Sequence, residues 1–254
     1  MSVDFLYKYG RINEHSKTLF STGQIWLSPP SQLNDPFECR PWFIFDANQD
    51  EIIDILVRQI QRQNPLMSQD SVKAEAAAIY LEGRHKNPAM WEALRRDLLH
   101  KLRNEIGLYC LSSVPDSILM WSHYACKHEG YCLEFEATDY TDTFGEAQPV
   151  RYSDSYPVIN PFKMSKEEQA EIIFSTKYTS WAYEQEWRII DWQNGPGLRT
   201  YPPDLLKSVI FGLRMSEPNK DLVKKWVGRR GHSVRFLEAV QDDRRFSIEL
   251  RDVS

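Results

Sequence analysis

Three amphipathic stripes stand between residues 49 and 106 of a chain otherwise written as short apolar runs and turns, and this helical block limits the architecture most. Ile52, Ile53, Leu56, Val57 and Ile60 recur at spacings of three and four, Ser71 is placed to cap a segment ending near Glu82, and Met90, Leu94, Leu98 and Leu102 mark a third stripe. Around it, strand patterns fall near 5–9, 24–28, 107–112, 130–136, 186–192, 206–212, 233–238 and 245–251, with a further short one at 150–152. Shorter helices are expected at 13–20, closed by Gly23, at 118–124, from Ser165 to about Tyr178 behind a Ser165/Glu168 capping box, and at 219–230. The pattern predicts an α+β chain: a single domain over 1–254 with a mostly antiparallel sheet core and a helical insertion at about 50–106.

Charge narrows the function. Acidic residues outnumber basic ones by 36 to 31, so no global basic field gathers nucleic acid, although a local groove is compatible with these numbers. The Arg84-His85-Lys86 and Arg95-Arg96 clusters read as solvated helix faces. Met1-Ser2-Val3-Asp4 has neither the basic start nor the apolar stretch of a secretion signal, and no run approaches the ~18 apolar residues of a membrane span, so a cytoplasmic protein without a membrane partner is expected. Cys39, Cys110, Cys126 and Cys132 show no CxxC spacing, which predicts reduced thiols rather than a zinc knuckle. His123 and His128, five apart, share no helix face and have no acidic partner at HExxH spacing; both read as structural histidines, and no metal is expected.

Two stretches carry the candidate chemistry. Residues 29–38, Pro-Pro-Ser-Gln-Leu-Asn-Asp-Pro-Phe-Glu, form a rigid irregular loop with Leu33 and Phe37 as anchors and an Asx-turn ahead of Pro36. Residues 177–191 pack two glutamates, four aromatic rings, a lysine and an arginine ahead of a strand. Period two puts Glu186 and Arg188 on one strand face. Such a pair is either a structural ion pair or, against Trp and Tyr rings, a carboxylate tuned for chemistry. With 13% aromatic residues, 8 of them Trp, the chain needs an aromatic core or an aromatic pocket.

The segments Leu6-Tyr7-Lys8-Tyr9, Leu27 to Glu38, Met120-Trp121-Ser122-His123-Tyr124-Ala125 with His128 and Gly130, Trp181 to Arg188, and Val209-Ile210-Phe211-Gly212 resemble the bacterial family catalogued as domain of unknown function 2971. Members of that family resemble genes of bacterial defence settings, which implies a toxin or antiphage role. More distantly, the order of N-terminal strand, short helix, Gly and strand, then far downstream a Glu opening a strand, is similar to the DarT-type ADP-ribosyltransferases. That likeness implies an ADP-ribosyltransferase fold, NAD as the nucleotide-type ligand and a nucleic-acid or protein acceptor. It makes Glu186 the catalytic carboxylate beside the nicotinamide ribose. Tyr178, Trp181 and Tyr183 would stack, Asn34 would orient, and Arg188 or Arg11 would clamp phosphate, with Tyr7, Tyr9, Asp35, Trp121, His123 and Tyr124 completing the ligand site. The first strand departs from the pattern, offering Tyr7, Lys8 and Tyr9 where many transferases carry His or Arg. Two other readings stand beside it: a non-enzymatic nucleotide- or nucleic-acid-binding module, and a metal-dependent nuclease using Asp35, Glu38, Glu184 and Glu186.

Overall fold

The structure, a computed structural model, describes residues 3–253; Met1, Ser2 and Ser254, and with them part of the N-terminal segment read above, lie outside the described residues. In chain order the elements are β1 (Phe5–Gly10), α1 (Ser16–Thr22), β2 (Gln24–Leu27), β3 (Trp42–Phe43), α2 (Gln49–Gln63), α3 (Gln69–Leu81), α4 (Pro88–Asn104), β4 (Gly107–Ser112), α5 (Ile118–Tyr124), β5 (Tyr131–Glu136), β6 (Gln148–Pro149), β7 (Arg151–Ser153), β8 (Val158–Ile159), α6 (Lys166–Ser175), β9 (Thr176–Tyr178), β10 (Glu186–Asp191), β11 (Gly197–Thr200), β12 (Leu206–Phe211), α7 (Glu217–Val227), β13 (Arg235–Gln241) and β14 (Ile248–Asp252). They divide into two units, one of Met1–Glu38, Asn104–Asp154 and Phe174–Ser254, the other of Cys39–Arg103 and Ser155–Ile173.

The first unit is built on an eight-stranded sheet in the order β14-β13-β12-β5-β1-β4-β10-β6. Its pairings are antiparallel except β12 with β13, which α7 joins as the crossover that a parallel pair requires. Strand alternation sorts the side chains between two apolar layers. Leu6, Leu111, Leu133, Phe135, Ile189, Val209 and Phe211 pack with Phe20 of α1 and Val223 and Val227 of α7. Tyr9, Cys132, Ile210, Leu237 and Ala239 pack with Met120 and Trp121 of α5. The expected α+β class with a mostly antiparallel sheet therefore holds. Gly130, ahead of β5, cannot carry a Cβ, because that atom would meet the carbonyl oxygens of Gly10 and Ala125.

One seam of this sheet is incompletely closed. β1 shares six registered pairs with β5, and β10 shares six with β4, but β1 and β4 share only Tyr7 with Ser112. Beyond that pair their backbones no longer bond to each other as strands do, and the space between them is available to side chains.

In the second unit, Ile52, Leu56 and Ile60 of α2 meet Val72 and Ala76 of α3 in one buried cluster, and β3 pairs in parallel with β8. α2 starts on a capping box, Asn48 accepting from the Glu51 amide and Glu51 from the Asn48 amide. Two readings of this unit need correction. The cap of α3 is Ser68, whose Oγ accepts from the Ser71 amide at 3.3 Å, so Ser71 is the third helical residue and not the cap. Arg95 is not a solvated charge, since its guanidinium lies 5.0 Å from the Trp42 ring centre and 5.6 Å from that of Phe45.

Two more expectations change in the segments that carry function. The helix behind the Ser165/Glu168 box forms, with both reciprocal bonds, but stops at Ser175; Thr176–Tyr178 leaves it to pair in parallel with β7. Phe37 does not anchor the proline-rich loop. It is 63% exposed, while Asp35 and Glu38 turn inward, Asp35 accepting the Phe37 amide in the expected Asx-turn. The cap assignment is tested by melting curves: Ser68→Ala should cost about 1 kcal/mol and Ser71→Ala a small fraction of it.

Candidate functional site

Five charged side chains, all more than nine-tenths buried, meet at one end of β10: Glu38, Lys177, Glu184, Glu186 and Arg188. Lys177 arrives because β9 alternates, sending Tyr178 out and Lys177 in. Glu184 and Glu186 flank Gln185, whose left-handed φ of 43° turns the chain from a 3-10 turn into β10. That turn is fastened from β4, Ser112 Oγ donating to the Glu184 carbonyl at 2.6 Å and the Ser113 amide to the Gln185 carbonyl at 3.0 Å. Both carboxylates thereby reach one ammonium: Lys177 Nζ donates to Glu186 at 2.8 Å and to Glu184, and stands 3.1 Å from Glu38. Arg188, on the same strand face as Glu186, donates to both Glu186 oxygens at 2.8 and 2.9 Å, to Glu38 and to the Phe174 carbonyl.

These contacts separate the two carboxylates chemically. Burial pushes the Glu186 carboxyl up, but Arg188 and Lys177 overcome it and hold the group well below the usual carboxylate range. For Glu184 burial wins over Lys177, and its pKa lies above its ordinary value. Burial lowers Lys177, yet Glu186, Glu38 and Glu184 together keep it firmly protonated. Tyr124 completes the Glu184 environment by donating to Oε1 at 2.5 Å; burial first, and Glu184 second, raise its own pKa.

Glu38, Lys177, Glu184 and Glu186 of this cluster line a cavity of about 210 Å³ to which both β1 and β4 contribute. Tyrosines 7, 9, 109 and 124 wall it together with Lys8, while Trp26 and Asn34 come from β2 and the proline-rich loop. Tyr7 donates to Glu134 at 3.0 Å and Tyr9 to the Val114 carbonyl at 2.8 Å, so both hydroxyls are fixed. Of the residues read as a site from the sequence, Tyr7, Tyr9, Asn34, Tyr124 and Glu186 converge here.

The others do not line the cavity. Trp121 is fully buried in the apolar layer of Tyr9 and Met120, its indole donating to the Pro115 carbonyl at 2.8 Å. Trp181 donates to the buried Asp35 at 2.9 Å, and its ring lies 5.1 Å from Lys177 Nζ, so both residues support the floor. Tyr183 binds His123 Nδ1 at 3.0 Å. Tyr178 is half exposed and Arg11 exposed, both away from the cavity wall. Arg188 cannot clamp phosphate as expected, since it is 1% exposed and engaged by Glu186, Glu38 and Phe174. His123 and His128 also hold separate partners, His128 Nε2 meeting Ser122 Oγ at 3.1 Å. The place among Glu38, Glu184 and Glu186 that a metal would take in the nuclease reading is filled by the Lys177 ammonium.

Residues 120–189 match the sequence model of a family described as "Protein of unknown function (DUF2971)". No curated protein and no solved structure matches the chain. The DUF2971 segment contains Tyr124, Lys177, Glu184, Glu186 and Arg188, whereas Lys8 and Glu38 come from outside it. Sequence reading missed Lys177 and Lys8 as members of the site and named Glu38 and Glu184 only as carboxylates of the nuclease reading. The Glu-Gln-Glu spacing was a visible signal for Glu184, but nothing local ties Glu38 to a strand some 150 positions later.

The opposed environments predict opposed mutant effects at neutral pH. Glu186→Gln should lower stability by about 3–5 kcal/mol, because it strips a buried guanidinium and ammonium of their charge partner. Glu184→Gln should be neutral or stabilising, as it removes the carboxylate that burial disfavours; chemical denaturation measures both. The depressed Glu186 pKa adds stability that is present above its ordinary value of 4.5 and lost as pH falls towards the folded-state value. Melting temperature should therefore fall less steeply below about pH 4 in Glu186→Gln than in the wild type.

Proposed function

We propose that this chain binds a nucleotide of the NAD type in the β1–β4 cavity and transfers its ribosyl-linked group to a nucleic-acid or protein acceptor. The observation that carries the reading is the pair Glu184 and Glu186: two carboxylates on one ammonium, at the floor of a tyrosine-walled cavity, with pKa values pushed in opposite directions. As the bond between nicotinamide and ribose C1′ breaks and nicotinamide leaves, positive charge builds on the ribose, and the permanently ionised Glu186 stabilises it. Glu184 accepts the proton that the acceptor loses as its oxygen or nitrogen bonds to C1′. Tyrosine rings exclude water from that step. At about 210 Å³ the cavity is smaller than the ~300–1,000 Å³ of sites that enclose whole ligands, so it takes one ring and its sugar, and the remainder of the nucleotide extends past Trp26.

A second reading is favoured by the saturation of Glu186, whose two oxygens are both engaged by Lys177 and Arg188. In it the cluster is structural and the cavity binds a nucleotide without turning it over.

Nicotinamide release from NAD, measured with DNA, RNA or protein acceptors, separates the two. Turnover in the wild type that falls by ~10²–10⁴ in Glu184→Gln, with NAD still raising the melting temperature, supports the transferase. A wild type that NAD stabilises without any release supports the binding module. If NAD neither binds nor is cleaved, both readings of the ligand are wrong.

A further inference from the structure

Lys8 stands apart from the other charges of the cavity. Lys177 is surrounded by three carboxylates and Arg188 by two, yet Lys8, among the described residues, makes no ion pair. Its Nζ donates to the Cys110 carbonyl at 2.7 Å and lies 4.5 Å from the centre of the Tyr109 ring. Cys110 belongs to β4 beyond the single β1–β4 pair, so the lysine reaches across the open seam to a backbone oxygen that β1 leaves unpaired. Ser28, Gln32, Asn34 and Ser112 bring further polar groups to the cavity lining.

We propose that Lys8 binds a phosphate group of the ligand, which makes the substrate of this cavity a nucleoside phosphate and not a free nucleoside. The proposal rests on the nucleotide reading of the cavity and deepens it. An ammonium whose direct partners are a carbonyl and an aromatic face, with no carboxylate in ion-pair contact, has unspent attraction for an anion, and burial makes that attraction stronger than in water. Burial lowers the Lys8 pKa more than Cys110, Glu186 and Glu184 raise it, and an anion bound at Nζ would favour the charged form. Lys177 cannot serve this purpose, because its three donors are met by Glu38, Glu184 and Glu186. With the phosphate at Lys8 and sugar hydroxyls at the carboxylate floor, a ligand spans the cavity between its unpaired cation and its excess of negative charge, where three carboxylates face the two cations Lys177 and Arg188.

The experiment compares matched ligands that differ by one phosphate. Calorimetry on the full chain would measure nicotinamide mononucleotide against nicotinamide riboside, and AMP against adenosine, for the wild type, Lys8→Met and Lys8→Arg. The expected result is a monophosphate preference of about tenfold or more in the wild type for at least one base. It should be lost in Lys8→Met and largely kept in Lys8→Arg, with nucleoside affinity unchanged throughout. Inorganic phosphate, against chloride at equal ionic strength, should raise the melting temperature of the wild type and not that of Lys8→Met. Equal wild-type affinity for nucleoside and monophosphate, a preference that survives in Lys8→Met, or no binding of any of the four ligands would each overturn the assignment. Melting curves without ligand keep a folding defect visible, and a Lys8→Met chain that melts far below the wild type leaves Lys8→Arg and the wild-type phosphate preference to decide. Phosphate preference through Lys8 without nicotinamide release would retain the assignment and reject the transferase; release with equal affinities would do the reverse.

Discussion

Five buried charges around Lys177 and Glu186 set the terms for the rest of the first unit. Moving a carboxylate or ammonium out of water costs several kcal/mol per ion, and the cost is recovered only when every partner is present in good geometry. The loop ending at Glu38, the short strand of Lys177, the 3-10 turn of Glu184 and strand β10 must therefore arrive together. Their local irregularities follow from that requirement. The helix ahead of Lys177 stops at Ser175 so that the strand alternation can bury the lysine, and Gln185 takes a left-handed conformation between two glutamates aimed at one ammonium.

The cluster has a net carboxylate excess of one, and this excess is placed at the floor of a cavity and not in a sealed core. Tyrosines form the walls because each supplies an apolar ring and a hydroxyl that can be satisfied, as Tyr7 is by Glu134 and Tyr9 by the Val114 carbonyl. The cavity exists because β1 and β4 part after one registered pair. A fully zipped pair would have filled the seam with backbone hydrogen bonds and left Lys8 no carbonyl of Cys110 to reach. The cavity is thus obtained at the cost of sheet hydrogen bonds, and the neighbouring six-pair ladders on both sides hold the opening in shape.

Within the other unit the same division between local and distant causes appears at smaller scale. The stripe of α2 and its Asn48 cap are consequences of neighbouring residues, whereas the stacking of Arg95 on Trp42 and Phe45 joins positions some fifty apart. A cluster of arginines reads as solvated from sequence because nothing nearby in the chain announces the rings that will cover it.

What the sequence determined by itself was whatever neighbours in the chain decide: the strands at Phe5–Gly10, Gly107–Ser112 and Leu206–Phe211, the three stripes of the helical block, the Gly23 and Ser165 termini, and the sharing of one strand face by Glu186 and Arg188. The Glu-Gln-Glu spacing and the aromatic density of residues 177–191 also marked the right stretch. Tertiary structure alone decided the chemistry of that stretch. It delivered Glu38 from a loop some 150 positions upstream, spent Arg188 on carboxylates where the transferase resemblance had implied a phosphate clamp, turned Phe37 outward, and removed Trp121 to the core. It also chose which strands separate, and so made Lys8 a cavity residue. These outcomes depend on desolvation and on contacts between remote segments, quantities that no spacing along the chain encodes.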